Sequence, residues 1–145
     1  MRGSDDLERF LEAQEPVYAQ VRAELRAGRK RTHWMWFVFP QLQGLGQSPI
    51  SRRYALASLD EARAYLDHPV LGPRLLECTQ LVSALEGRTL AEIFGFPDDL
   101  KFRSCMTLFA AAGGSEAPLF EAALAQYCQG ERDARTLAAL ASNRS

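Results

Sequence analysis

The sequence predicts an all-α fold, a single multihelical globular domain. Three observations carry this. Apolar residues recur at helical spacing along most of the chain, as at Leu7, Phe10 and Leu11, and at Leu71, Leu75, Cys78 and Val82. Two capping boxes, Ser58-Leu-Asp-Glu61 and Thr89-Leu-Ala-Glu92, announce helix starts. No stretch alternates convincingly with a period of two, and only Arg53-Tyr-Ala-Leu-Ala57 comes near a strand. The domain is expected over residues 5–142, with flexible ends at 1–4 and 143–145.

The elements follow in order. Ser4, Asp5 and Asp6 offer caps for a first helix, which continues through Val17, Tyr18, Val21 and Leu25. Pro16 lacks a backbone donor and should split that helix near Gln14. Gly28 is suited to its C-terminal end, where Arg22, Arg26 and Arg29 complement the helix dipole. His33 to Phe39 is apolar nearly all round, so it reads as a short buried helix or an irregular segment ended by Pro40. Gln41 to Ser51, with Gly44, Gly46, Ser48 and Pro49, reads as a loop, longer than most inside a compact domain.

Ser58 opens the next helix, and His68-Pro69 begins another that closes at Gly87. Thr89 heads a short helix ending at Phe94-Gly95. Pro97-Asp98-Asp99 starts the most regular helix, with Leu100, Phe102, Cys105, Met106 and Phe109 as its core stripe and Gly113-Gly114 as its stop. Pro118 introduces a helix ending at Gly130, and Asp133 caps a last one bearing Leu137 and Leu140. The helices at 5–27, 59–86 and 98–112 are the best marked.

Composition narrows the function. At 145 residues the chain can bury a proper core as one domain. Its 17 basic and 18 acidic residues nearly cancel, which argues against a broad duplex-nucleic-acid surface. No apolar run approaches the roughly 20 residues that span a bilayer, and no secretory leader is evident. Cys78, Cys105 and Cys128 are widely spaced and odd in number, which suits buried thiols in a reducing cytoplasm better than disulfides or zinc. Two histidines are too few for a histidine-rich metal site, and His68 before a proline reads as a cap or turn residue. No cofactor-binding motif is present, so no cofactor or metal is expected.

The densest chemistry lies in Gly28-Arg-Lys-Arg-Thr-His-Trp-Met-Trp-Phe-Val-Phe-Pro-Gln41, which holds both tryptophans of the chain. Cations take phosphate and aromatic faces take rings, so such a run suits an anionic, ring-bearing ligand. Large aromatics equally supply the bulk of a core. Trp34 and Trp36 would face about 200° apart on a helix. Trp34 follows the polar Thr32 and the cations, whereas Trp36 opens a wholly apolar run. Trp36 is therefore the expected core residue. Trp34 is expected in a cleft with His33, Arg29, Lys30 and Arg31, and Gln41 closes the run on its polar side.

A second cluster is Pro97-Asp-Asp-Leu-Lys-Phe-Arg-Ser104. Asp98 and Asp99 complement a helix N-terminus, and Asp99 can pair with Arg103 four residues on. Alternatively one aspartate serves as general acid or base, or steadies a cationic transition state, with Lys101 and Arg103 beside it. A third cluster is Arg52-Arg53-Tyr54, which suits phosphate or a plain surface loop.

The tryptophan run resembles the signature of a bacterial family, domain of unknown function 1810. The similarity continues through Leu59-Asp-Glu-Ala-Arg-Ala-Tyr-Leu66, His68-Pro-Val-Leu-Gly-Pro-Arg-Leu75 and Ile93-Phe-Gly-Phe-Pro-Asp-Asp-Leu-Lys-Phe-Arg-Ser104. It implies a multihelical fold and no established reaction. The label calpastatin-like, once attached to such proteins, has no support here, since that inhibitor is disordered and this composition is globular. More distantly, Glu8-Arg-Phe-Leu-Glu-Ala-Gln14 is similar to the N-terminal motif of the NADAR superfamily, whose members look like N-glycosidases acting on ribosylated metabolites or ADP-ribose adducts. That resemblance places Glu8 at a catalytic carboxylate position. It also marks departures, with Ala91 where an aspartate is expected and Phe94 at the place of a tryptophan.

The sequence thus points to a cytoplasmic protein that binds a nucleotide-like or ADP-ribose-like anionic small molecule. If it is an enzyme, it is an N-glycosidase-type hydrolase. Arg29, Lys30, Arg31, His33, Trp34, Gln41, Arg53, Lys101 and Arg103 are the candidate ligand contacts, and Glu8, Asp98 and Asp99 the candidate catalytic carboxylates. The alternative is a non-catalytic module that binds a protein or single-stranded nucleic acid through the same run. The two differ in whether these groups converge in one concave pocket.

Overall fold

The structure, a computed structural model, describes residues 3–143. The ends expected to be flexible, and the side chains of Ser4, Asp5 and Asp6 expected as caps, lie largely outside the described part. The first half of the chain forms α1 (Gly3–Gln14), α2 (Tyr18–Ala27), α3 (Met35–Val38), α4 (Pro49–Arg53) and α5 (Leu59–Asp67). The second half forms α6 (Leu71–Ser83), α7 (Leu90–Phe94), α8 (Asp98–Ala112), α9 (Ala117–Cys128) and α10 (Ala134–Asn143). Among the described residues the only β pairing is an isolated parallel bridge, Leu42 with Leu56. It falls on the one segment whose sequence leaned toward a strand.

Helix α8 is the axis of the molecule. It packs against α9, α5, α7 and α10, and nearly its whole circumference is buried. Two of its buried residues are polar, and each satisfies itself locally. The Thr107 hydroxyl donates to the Arg103 carbonyl at 2.8 Å and the Ser104 hydroxyl to the Leu100 carbonyl at 3.2 Å, so neither hydroxyl is stranded in the core. A sequence stripe cannot show this, because a helix buried all round has no polar face. Leu100, expected in the stripe, is instead half-exposed at 49%, and Leu137 on α10 is exposed at 44%. Both stand near helix N-termini, at the rim of the packed layer.

Local signals explain most helix ends. Pro16 separates α1 from α2, and the Gln14 amide before the break is buried, donating to the Phe37 carbonyl at 2.7 Å and the Tyr65 hydroxyl at 3.0 Å. That one side chain ties α1 to α3 and α5. Gly28 ends α2 with φ +82°, a left-handed conformation suited to glycine. Thr89 and Glu92 form a reciprocal capping box. The box at Ser58 is only half made: Ser58 accepts from the Glu61 N–H, but Glu61 Oε1 accepts from the Ala57 N–H one residue earlier. His68 Nδ1 accepts from the N–H groups of Val70 and Leu71 at the start of α6. The expected loop from Gln41 to Ser51 is shorter than its composition suggested. Ser48 caps a short helix there, and Pro49 sits in its first turn. Cys78, Cys105 and Cys128 are buried and unbridged.

Candidate functional site

The basic-aromatic stretch is organised from behind by a residue that the sequence reading passed over. Glu24, on the buried face of α2, accepts from the Arg31 and Thr32 N–H groups, the Thr32 hydroxyl, the Gln20 amide and the Trp34 indole, at 2.7–3.1 Å. Burial pushes its carboxyl up, but these hydrogen bonds outweigh that and hold it down at about 2. The anion thereby folds the segment after Gly28 back onto α2. Trp34 is drawn inward to 1% exposure, packed against Phe39 and Phe94.

The expected roles of the tryptophans are therefore reversed. Trp34 is the core residue, because its N–H finds a buried acceptor; Trp36 is the partly exposed one. The three cations do not act together either. Lys30 turns inward, with its side chain 8% exposed, and Nζ lies 2.9 Å from Asp98 Oδ2 and 5.3 Å from the Trp34 ring centroid. Asp98 Oδ1 in turn holds Lys101 at 2.7 Å, and Lys101 Nζ lies 4.4 Å from the centroid of Trp36. Asp98 thus sits between two ammonium groups, each over a tryptophan. Burial raises its carboxyl, but the two lysines prevail and hold it below the usual aspartate range.

Trp36 and Gln41 line two cavities of about 380 and 250 Å³. The larger is walled by the loop from Leu42 to Gln47 and by Ser51, Arg52 and Tyr54. The smaller is bounded by Leu100, Lys101 and Ser104 of α8 and by Asp133 and Arg135 at the start of α10. Three contacts fix the loop. The Leu42–Leu56 bridge closes its root; Arg135 donates to the Leu45 carbonyl at 3.1 Å; and Arg9 of α1 donates to the Arg53 and Ala55 carbonyls at 2.6 and 2.8 Å. Gly46 approaches Trp36 so closely that a Cβ there would lie 3.3 Å from the ring and 2.6 Å from the Ser51 Cβ. Its lack of a side chain is what lets the loop lie beside the indole.

The other candidates are scattered. Of the expected ligand contacts, Gln41 lines both cavities and Lys101 the smaller one. Arg29 borders a separate open depression of about 600 Å³ with Arg88 and Glu92. Arg31 and His33 are exposed. Arg53 is exposed and lies 5.6 Å from the Tyr54 ring centroid. Arg103 pairs with Glu131 at 3.4 Å rather than with Asp99, whose carboxylate instead accepts from the Leu100 N–H at 2.9 Å. Glu8 is exposed on α1 and lines neither cavity beside Trp36. Nor do Asp98 and Asp99; the carboxylate that does is Asp133, already accepting from the Thr136 N–H and hydroxyl. Arg52, Ser104, Asp133 and Arg135 were not proposed as site residues from sequence. Arg52 stood in a noted arginine pair, but nothing in the local pattern brings the start of α10 to Trp36.

Fold and cleft together define a compact helical domain in which one tryptophan floors a polar-rimmed, small-molecule-sized recess. The chain belongs to the family described as protein of unknown function (DUF1810), whose model matches residues 4–140. It is similar to the conserved hypothetical protein Rv1873 from Mycobacterium tuberculosis, known from a crystal structure. The two share 61% identity and a TM-score of 0.91 over 94% of this chain and 96% of that one. No curated protein matches the chain. Among the described residues, no helix is long and apolar enough to cross a membrane.

Proposed function

We propose that the Trp36 cleft binds a small, planar, anionic ligand of the nucleotide-like or ADP-ribose-like kind. The observation that carries this is the position of Trp36, a partly exposed indole shared by two adjoining cavities. Lys101 and Arg135 border one cavity and Arg52 the other, so cations border both cavities that Trp36 lines. Cavities of a few hundred Å³ with an aromatic wall and few convergent polar groups are the usual form of small-ligand sites. Ring stacking on Trp36 and anion capture by the rim cations are the forces such a site supplies.

Binding fits this geometry better than hydrolysis. The NADAR resemblance would supply N-glycosidic cleavage through Glu8, and Asp98 and Asp99 are the other candidate carboxylates. Glu8 faces outward, and Asp98 is held between Lys30 and Lys101. A carboxylate so neutralised has little left with which to steady an oxocarbenium-like charge.

One observation favours a second reading, a non-catalytic surface for a protein or a nucleic-acid single strand. Phe96 is 80% exposed, and Leu100 is half-exposed on the wall of the smaller cavity.

Titration of tryptophan fluorescence and thermal shift with adenosine and guanosine monophosphates and with ADP-ribose tests the proposal. A ligand at 100 times its dissociation constant adds about 2.7 kcal/mol of stability. The expected result is a raised Tm and a quench that both vanish in Trp36→Ala. No response to any of these ligands, or a response that Trp36→Ala leaves intact, refutes it. A response to an oligonucleotide alone favours the second reading.

A further inference from the structure

We propose that Gln41 is the specificity element of the cleft. Its carboxamide reads a ligand edge that carries a hydrogen-bond acceptor next to a donor, as a nucleobase or an amide does. The inference rests on the proposed binding role of the Trp36 cleft and adds to it the part of the ligand that is recognised.

The Gln41 residue is 7% exposed, and its Nε2 is buried without a hydrogen-bond partner. Buried amides in folded proteins are nearly always satisfied, because an unpaired one forfeits the hydrogen bonds that water gave it. The rest of the residue is firmly set. Its carbonyl accepts from the Leu56 N–H at 2.9 Å beside the Leu42–Leu56 bridge, and Pro40 precedes it. The side chain therefore springs from a fixed backbone, and its Nε2 has no partner of its own. It lines both cavities beside Trp36, the ring on which a planar ligand would stack.

A carboxamide presents donor and acceptor in one plane. A base or amide edge matches both at once, whereas phosphate and carboxylate groups offer only acceptors. The cations at the rim are suited to the anionic end, so the two ends of the ligand are recognised by different residues. Strain of this kind, a polar group left unsatisfied in the free protein, is characteristic of binding sites.

The test compares wild type, the near-isosteric Gln41→Met and Gln41→Leu, each titrated by calorimetry with guanosine monophosphate, adenosine monophosphate and ribose 5-phosphate. Ribose 5-phosphate carries the anion without the base. A nucleotide is expected to bind wild type at least about tenfold more tightly than ribose 5-phosphate, the scale of one bidentate edge contact. Both variants should lose most of that advantage, keeping only what stacking on Trp36 supplies, and leave ribose 5-phosphate affinity unchanged. Without any ligand, Gln41→Met should raise Tm by about 2–4 °C, since it removes an unsatisfied amide. The second variant and the Tm measurement keep the result decisive if one substitution folds poorly. Nucleotide binding that both variants retain, or equal affinity for ribose 5-phosphate, overturns the role of Gln41 while leaving the cleft a nucleotide site. Absence of any nucleotide binding overturns the cleft reading and this inference with it.

Discussion

The indole N–H of Trp34 donates to Glu24 Oε1 at 2.8 Å, and that oxygen also accepts from the backbone N–H groups of Arg31 and Thr32. A single buried carboxylate therefore fixes both the core tryptophan and the path of the chain that leads to it. The cleft tryptophan two residues later inherits its position from this arrangement.

Stability should accordingly depend on pH through Glu24. Its folded value, about 2, lies below the ordinary 4.5, so the stabilisation is complete above about 4.5 and is lost as pH falls toward 2. Denaturant midpoints measured between pH 5 and 2 should fall in wild type and fall less in Glu24→Gln. Near neutral pH, Glu24→Ala should cost about 3–5 kcal/mol, since its donors are left without an acceptor. A midpoint that Glu24→Ala leaves unchanged would contradict the arrangement.

The two tryptophans should separate cleanly. Trp34→Ala is expected to cost about 3–5 kcal/mol, as for a large core side chain. Trp36→Ala should cost far less. Acrylamide should quench the indole that remains in Trp34→Phe, which is Trp36, more strongly than the one left in Trp36→Phe. Equal quenching would count against the burial of Trp34.

Asp98 links the two sides of the stretch. Asp98→Asn should destabilise by about 1–3 kcal/mol, because Lys30 then keeps a largely buried charge with a weaker partner. Its lowered carboxyl makes this contribution fully present above the ordinary aspartate value of 3.8 and lost on acidification below it. The substitution should also shift the emission of Trp36, since Lys101 loses the anchor that places it over that ring. An unchanged spectrum in Trp34→Phe/Asp98→Asn, relative to Trp34→Phe, would show that Lys101 is placed by other contacts.

Gly46→Ala tests how closely the loop must approach. The added methyl would collide with Ser51 and crowd the Trp36 ring, so the loop must move outward. A loss of about 1–3 kcal/mol is expected. Nucleotide response should weaken more than Gly44→Ala weakens it, since a Cβ at Gly44 meets nothing within 4 Å. Gly44 has φ +99° and Gly46 has no left-handed φ, so only Gly44→Ala carries a backbone penalty, and the comparison should be made on ligand response rather than on stability.

Much of the fold was legible because its signals are local. Pro16 breaks a helix by lacking a backbone donor, and Gly28, Ser58, Thr89 and Asp133 mark helix ends through hydrogen bonds that span only a few residues. The roles of the two tryptophans are not legible from their chain neighbours. Trp34 follows three cations, yet its environment is set by Glu24, ten residues back on another helix. Glu24 gave no sign in sequence, since a glutamate on a helix is ordinarily solvated. The cleft was similarly hidden. Its walls come from the loop after Gln41, the start of α8 and the start of α10, and the Arg135–Leu45 contact spans 90 residues. Periodicity reports which face of a helix is buried; it carries nothing about which distant rim meets it.

The bridge between Leu42 and Leu56 has a dynamic consequence. The segment from Gln43 to Ala55 hangs from that bridge, with Arg135 and Arg9 clasping its two sides from outside. Swinging it outward breaks these polar contacts and draws Tyr54 away from Phe10 and Phe37, but it unwinds none of the long helices. The recess can therefore breathe as a small cooperative unit, on its own clock, while the α8 core stays shut. Amide hydrogens at Gln43 and Leu56 would report that breathing, exchanging together and well ahead of those in α8. If the cleft takes the proposed ligand, its entry and release would be set by the latch on a loop and not by the stability of the whole domain.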